Sequence, residues 1–135
     1  MTDSEIARLL DMLHHEDSLL RAGASSQLIQ VGKAAIDYLL PIIMSPEHPE
    51  YARQEAIWIV GEIGDPAIVP LLLDILNRRD ADIPIQVISV ETLGKFQNPE
   101  IVPALVHALN MKKYYGPIRA KAAQVLGRIG DATAI

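Results

Sequence analysis

The amino-acid sequence repeats itself at an interval of 33 residues. Gly61, Gly94 and Gly127 mark this interval, and apolar residues form columns around the three glycines. The segments that follow are also alike, since residues 68–71 read IVPL and residues 101–104 read IVPA. Each interval is predicted to contain a first-type helix, a break and a second-type helix. Self-similarity of this length is typical of arrays in which each repeat packs on the next.

Glycine and proline predict how each break is built. A glycine inside a helix costs about 0.5–1 kcal/mol relative to alanine, so the Gly61 column predicts that a neighbouring backbone approaches closely there. Gly64 stands where a helix can end in a left-handed conformation. Asp65 and Pro66 then form the pattern of an N-cap followed by a first helical residue, which predicts the start of the next helix.

The repeat pattern divides the chain into one domain, residues 1–135. We assign residues 1–16 to an N-terminal capping helix, started by Asp3 or Ser4, and residues 17–49, 50–82 and 83–115 to three repeats. Residues 116–135 form an incomplete last repeat, because Ile135 aligns with Val69, just before a second-type helix. An apolar face is therefore expected to be uncovered there, which predicts self-association or a chain that is a fragment.

Composition restricts the class of protein. Half of the residues are hydrophobic and 21% are charged, which is a globular balance. The absence of cysteine excludes disulfides and a cysteine nucleophile, and together with an acidic N-terminus and no long apolar run it predicts a cytoplasmic protein. Residues 1–67 carry a net charge of −7 and residues 68–135 carry +2, so neither nucleic acid nor membrane is an expected partner.

The repeated segments resemble a known family. RQEAIWIVGEIGDPAIVPLLLDIL and IRAKAAQVLGRIGDATAI are similar to short HEAT-like repeats of the phycobilisome lyase type, and the resemblance covers residues 17–135. It implies an all-α fold, a right-handed α-solenoid or α-α superhelix. The implied function is a non-catalytic scaffold or adaptor that binds another protein. The alternative is a subunit of a phycobilin lyase or a phycobiliprotein-processing factor, with a second HEAT-like subunit or a phycobiliprotein as partner and bilin as the only cofactor.

Candidate chemistry is sparse in this sequence. Some HEAT-like enzymes, the deoxyhypusine hydroxylases, hold iron through His-Glu pairs, but the corresponding positions here are Gln54-Glu55, Val87-Ile88 and Ala120-Lys121. The cluster His14-His15-Glu16-Asp17 is interpreted as an exposed helix end, because adjacent helical residues point about 100° apart. We therefore predict no catalytic residue, no metal site and no resident cofactor.

Trp58 is the strongest candidate for contact with another protein. The other members of its column, Ser26, Glu91 and Gln124, are polar, which predicts an outward-facing side chain of a type enriched in interface hot spots. Alternatively, the helix is slightly rotated, or Tyr51 or the loop at residues 46–50 covers the indole ring. Further candidates project from the second-type helices and the turns that follow them: Tyr38, Asp74, Arg78, Arg79, His107, Lys112, Lys113, Tyr114 and Tyr115. The basic members either complement helix dipoles or meet an acidic partner or bilin propionates.

A column of arginines has a predicted structural role. Arg21, Arg53 and Arg119 share one register position, and Gln86 takes the same place in the remaining repeat. Pairing with Asp65, Asn98 or Asp131 would fix the stacking of adjacent repeats while the aliphatic stems are buried.

Overall fold

The computed structural model describes the backbone of residues 1–78, 81–111 and 116–133, with side chains as far as Gly130 in the last segment. Within this part of the chain every regular element is helical. The elements are α1 (Asp3–Met12), α2 (Ser18–Val31), α3 (Lys33–Met44), α4 (Glu50–Ile63), a 3-10 turn (Pro66–Ile68), α5 (Val69–Asn77), α6 (Ile83–Leu93), α7 (Ile101–Asn110) and α8 (Gly116–Thr133). The predicted all-α class is confirmed.

The first compact unit comprises Met1–Asp65 and contains α1 to α4. In it, α4 packs against both α2 and α3, and α1 packs against α2. The core side chains are completely buried aliphatic residues: Leu13, Leu28, Leu39, Ile43 and Ile57. Each such side chain contributes roughly 1.5–3 kcal/mol when it leaves water, so these contacts hold the four helices together.

The second compact unit comprises Pro66–Ile135 and contains α5 to α8. Here α6 packs against α5 and α8, and α8 packs against α7. Its core is built from the same residue types: Leu72, Leu76, Ile85, Leu93 and Leu105. The two units meet in sequence within the predicted second repeat, and the repeat boundaries drawn from the sequence stay a prediction.

Several helix ends follow the sequence signals. Gly32 and Gly64 have φ angles of 79° and 78°, a region that only glycine enters at little cost, and they end α2 and α4 as the Gly64 column predicted. The predicted cap of α1 was wrong by one residue. Thr2, which precedes Asp3, accepts a hydrogen bond from the Glu5 amide at 3.2 Å.

Two predicted breaks differ in the structure. Pro66 begins a 3-10 turn, and the α-helix starts only at Val69, so Asp65 and Pro66 do not directly open α5. Helix α8 was expected to break at Gly130, the partner of Gly64 in register, but it continues to Thr133. A glycine permits a left-handed end without requiring one, since it also fits a helix interior at a modest cost.

Gly94 and Gly127, which share a repeat position with Gly61, do not share a contact with a neighbouring backbone. A Cβ atom on Gly94 would lie 2.7 Å from Cγ1 of Val125, so the close neighbour there is a side chain of α8. A Cβ atom on Gly127 would meet nothing within 4 Å. The prediction of a close backbone approach was therefore wrong at Gly94 and Gly127, and of these two glycines Gly94 alone has a packing reason to lack a side chain.

Candidate protein-binding surfaces

The arginine column binds the carbonyl groups at the ends of preceding helices. The Arg53 guanidinium donates from Nε and from a terminal nitrogen to the carbonyl of Ile43, at 3.3 and 3.2 Å. Arg119 Nε donates to the carbonyl of Leu109 at 3.2 Å. These acceptors lie in the last turns of α3 and α7, where carbonyl groups lack partners within the helix. Each arginine thus satisfies the C-terminal end of the helix before it.

Gln86 makes the equivalent contacts to backbone carbonyls in the remaining repeat. Its side-chain amide nitrogen lies 3.3 Å from the carbonyl oxygens of Ile75 and Leu76 and donates to Arg78 O at 2.8 Å. Arg21 likewise donates to the carbonyls of residues 15 and 16. We predicted partners with carboxylate or amide side chains, whereas the contact common to the column is to backbone carbonyls. This explains why an uncharged glutamine can replace arginine.

Tyr51 and Trp58 form an aromatic stripe on α4. They are seven residues apart, which is two helical turns, and each side chain is 37% exposed. Leu19, which aligns with Tyr51 in the preceding repeat, is 81% exposed on α2. We call Leu19, Tyr51 and Trp58 the aromatic face. The predicted outward orientation of Trp58 thus agrees with its exposure, and the role of Trp58 in binding stays a prediction.

Polar contacts fix one end of the aromatic face. The Tyr51 hydroxyl donates to the carbonyl of His14 at 2.8 Å, and the Arg21 guanidinium lies 4.8 Å from the centre of the Tyr51 ring. A cation over an aromatic ring is attracted by the negative face of the ring. Tyr51 is therefore held in place by its hydroxyl and by Arg21, and it does not depend on a partner for its orientation.

Glu55 is a partly buried carboxylate that lies between Tyr51 and Trp58 in the sequence of α4. Glu55 is four residues after Tyr51 and three before Trp58, so it shares their side of α4. Burial raises the pKa of Glu55, and the charge of Arg21 offsets part of that effect. The aromatic face consequently combines apolar surface with an incompletely solvated negative charge.

The other predicted binding residues are divided between the two units. Tyr38 in the first unit donates its hydroxyl to Oδ1 of Asp3, and this hydrogen bond raises the tyrosine pKa. In the second unit, Arg78, which follows the last residue of α5, pairs with Asp74 of that helix at 2.9 Å, and His107 is exposed on α7. Arg79, Lys112, Lys113, Tyr114 and Tyr115 lie outside the described residues.

A contact between His14 and His48 was missed by the sequence analysis. Nε2 of His14 lies 2.8 Å from Nδ1 of His48, and Nδ1 of His14 lies 3.0 Å from the carbonyl of Leu10. Because a carbonyl only accepts, His14 donates through Nδ1, and neutral His14 then accepts from His48. This contact ties the end of α1 to the segment before α4. Among the described residues, no group of three or more histidine or acidic side chains is arranged to hold a metal ion.

Glu91 holds α6 to α8 through two cations. Its carboxylate accepts from Arg128 at 2.6 Å and lies 3.5 Å from Nζ of Lys121. The hydrogen bond from Arg128 lowers the pKa of Glu91 against the opposing effect of burial. Lys121 also donates to Gln124 at 2.9 Å. Glu91 and Gln124, which share the register of Trp58, thus have partners inside the second unit.

A groove of about 580 Å³ lies in the second unit beside α7 and α8. Its apolar lining comes from Phe96, Ile101, Val102, Val125 and Ile129. Lys95 and Arg128 also line it, and no carboxylate appears among its described lining residues. We call this cavity the α7–α8 groove. It lies beside the last first-type helix, where the sequence predicted an uncovered apolar face.

Val102 shows how the α7–α8 groove relates to the repeat. It occupies the register of Val69, which is completely buried, yet Val102 is 42% exposed. The residue beside it, Ile101, is buried in the same way as its counterpart Ile68. A position that is covered in one repeat is therefore open in the next.

The helices and their repeated contacts define the class as an all-α repeat solenoid. Residues 6–84 and 69–135 match the family model described as HEAT repeats. Together these matches span nearly the whole chain, so the protein belongs to the HEAT repeat family, and the resemblance noted in the sequence is confirmed.

A solved structure shares the fold. One chain of the complex of CpcE and CpcF of phycocyanin lyase from Nostoc sp. PCC7120 is similar to this chain with a TM-score of 0.70 and 22% sequence identity. The similarity covers 93% of this chain and 78% of that one. Among curated proteins, none matches this chain in sequence. In the part of the chain that the structure describes, no helix is both long and apolar enough to cross a membrane.

Proposed function

We propose that this protein is a non-catalytic scaffold in the cytoplasm and that its aromatic face binds another protein. The observation that carries the proposal is the exposure of Trp58 and Tyr51 on one side of α4, at register positions that are otherwise polar or aliphatic. Tryptophan and tyrosine offer large contact areas at a low cost in conformational entropy, and both are enriched in interface hot spots.

The chemistry of the aromatic face defines the partner further. Glu55 offers a negative charge that is already partly desolvated, and residues 1–67 carry a net charge of −7. An opposite charge at the centre of an apolar contact would relieve the burial penalty on Glu55. The partner is therefore expected to present apolar side chains around a lysine or arginine.

Affinity capture tests the proposed function. The full chain serves as bait in a lysate of the source organism, and captured proteins are identified by mass spectrometry. Trp58→Ala is compared with Met44→Ala, because the Met44 side chain is 38% exposed and matches Trp58 in that respect. We expect a protein that is captured reproducibly, lost with Trp58→Ala and retained with Met44→Ala. Equal capture by all three baits would contradict a role for the aromatic face.

A second candidate function rests on the shared fold. The similar structure is a complex of two subunits of phycocyanin lyase, so a role as a phycobilin lyase subunit or a phycobiliprotein-processing factor is the alternative. In that case the bait should capture a phycobiliprotein or a second HEAT-like chain, and the mixture should shift the visible absorbance of added bilin. A captured protein that binds without any such shift favours the scaffold.

A further inference from the structure

We infer that His14 and His48 form a pH-sensitive latch, which holds the end of α1 in neutral solution and releases it when both rings are protonated. Nε2 of His14 lies 2.8 Å from Nδ1 of His48, and the ring centroids are 5.0 Å apart. We call this pair the histidine latch. The inference goes beyond the proposed function, and the release of α1 can be measured without a partner protein.

The hydrogen bonds of the histidine latch accommodate one added proton but not two. Nδ1 of His14 donates to the carbonyl of Leu10 at 3.0 Å, so Nε2 of neutral His14 accepts from Nδ1 of His48. If His14 gains a proton at Nε2, neutral His48 can accept it through Nδ1 in its other tautomer. When both rings are protonated, each of the two facing nitrogens carries a hydrogen, and no acceptor remains between them.

The histidine latch ties the last turn of α1 to the segment before α4. The amides of residues 13–15 donate to the carbonyls of residues 10–12 at 3.1 Å and so close the end of α1. The Leu13 side chain, next to His14, is completely buried. Opening the histidine latch therefore removes a restraint from a turn that also carries a core residue.

The same turn holds Tyr51 in position. The carbonyl of His14 accepts the Tyr51 hydroxyl at 2.8 Å. Arg21, which lies over the Tyr51 ring, donates to the carbonyls of residues 15 and 16. When the turn loosens, Tyr51 is expected to lose part of its order. Weaker partner binding in acid would follow, and this consequence alone rests on the proposed function.

Other titratable and charged side chains lie on the segments that surround the histidine latch. They come from α1, the turn after it, α2, the loop before α4, and α4 itself: Asp11, His15, Glu16, Asp17, Arg21, Glu47, Glu50, Tyr51 and Glu55. Water and salt screen the exposed carboxylates among them. Histidine is the side chain that ordinarily changes charge near neutral pH. Since His15 and Glu55 remain when His48 alone is replaced, a comparison with wild type isolates the histidine latch.

Acid should destabilise the end of α1. In the unfolded chain the two histidines bind protons independently, whereas the closed latch resists the second proton. The unfolded state therefore binds more protons as the pH falls, and the stability that the latch contributes at neutral pH is lost in acid. In coupled pairs the second proton binds about tenfold more weakly, which favours opening about fivefold between about pH 7.5 and about pH 5.5.

His48→Asn is the variant that tests the histidine latch. The side-chain amide nitrogen of asparagine takes the place of Nδ1 but does not become charged. Amide hydrogen exchange of residues 13–15 is followed by NMR in the full chain across the same pH range and corrected for intrinsic exchange. We expect protection to fall about fivefold in wild type and to change little in His48→Asn. His107→Asn is the control, because His107 is exposed in the other compact unit, and it should behave as wild type does.

An NMR titration of the histidine rings provides a second measurement that needs no variant. His14 and His48 should each titrate in two steps, because coupled groups titrate as a pair. Two results would overturn the inference: a loss of protection in wild type no greater than in His48→Asn, or independent single steps for His14 and His48. Neither result bears on capture through Trp58, so the histidine latch can fail while the proposed function stands.

Discussion

Gly94 and Gly127 share a register position but have different surroundings. The Cβ of an alanine at position 94 would lie 2.7 Å from a Val125 methyl and 3.3 Å from the carbonyl of Glu91. At position 127 the space within 4 Å is empty. The same substitution should therefore have opposite effects on stability at the two sites.

We predict that Gly94→Ala lowers the free energy of unfolding and that Gly127→Ala raises it. Overpacking costs typically about 1–3 kcal/mol, whereas an unstrained alanine inside α8 gains about 0.5–1 kcal/mol over glycine. Urea denaturation followed by circular dichroism measures both values. Stabilisation by Gly94→Ala would show that Val125 moves aside freely.

Gln86 tests the binding of helix-end carbonyls by the arginine column. Gln86→Leu removes a buried donor from the carbonyls of Ile75 and Leu76, so we expect a loss of about 1–3 kcal/mol in unfolding free energy. Gln27→Leu is the control, because Gln27 is exposed on α2 and surface changes usually fall within about 0.5 kcal/mol. If both variants unfold alike, the carbonyl contacts do not stabilise the fold.

At the scale of elements, Glu91 connects α6 and α8. Its pKa is lowered in the folded state, chiefly by the hydrogen bond from Arg128, so its ionised form stabilises the fold above the unfolded pKa of 4.5. That contribution is lost as the pH falls through the lower folded value. Because the carboxylate is a third exposed, it is worth less than about 1 kcal/mol.

Glu91→Gln should therefore destabilise the protein slightly at pH 7. The difference from wild type should disappear as the pH falls below the folded pKa of Glu91. Denaturant unfolding between neutral and acidic pH gives the two curves. A constant difference at every pH would mean that glutamine disturbs packing and that the charge is irrelevant.

Glu55 in α4 should show the opposite pH dependence. Burial raises the pKa of Glu55 above 4.5 in the folded state. The stability that protonated Glu55 contributes is therefore fully present below the unfolded pKa of 4.5 and is lost as the pH rises through the higher folded pKa. Glu55→Gln keeps the neutral form and should be more stable than wild type at neutral pH. The gain should fade in acid, and destabilisation at pH 7 would indicate that attraction to Arg21 exceeds the burial penalty.

The helices were predictable from the sequence because local signals specify them. Apolar spacing, glycine at helix ends and the prolines near several helix starts predicted that first-type and second-type helices alternate along the chain. The same signals misplaced the start of α5 and predicted a break in α8. Whether Pro66 opens a 3-10 turn or an α-helix, and whether Gly130 ends a helix, depends on packing that a local pattern does not contain.

At the scale of the whole molecule, the candidate surfaces were only partly predictable. The residues that align with Trp58 in the other repeats are polar, which agrees with the exposure of the Trp58 side chain. Aligned residues of a repeat are expected to lie on the same side of their helices, so polar residues at this position predict that the side faces outward. Arg21 against Tyr51 and His14 against His48 join residues 30 and 34 positions apart. Pairs of this kind cannot be predicted from the repeat pattern. The α7–α8 groove likewise depends on how α7 and α8 pack against each other.

The central claim is that this HEAT repeat protein binds another protein through its aromatic face. The most direct measurement is the dissociation constant of the captured protein for wild type, Trp58→Ala and Met44→Ala, determined by isothermal titration calorimetry. We predict that Trp58→Ala weakens binding about tenfold or more, which corresponds to about 1.4 kcal/mol, and that Met44→Ala binds as wild type does. Equal dissociation constants for all three proteins would contradict the claim.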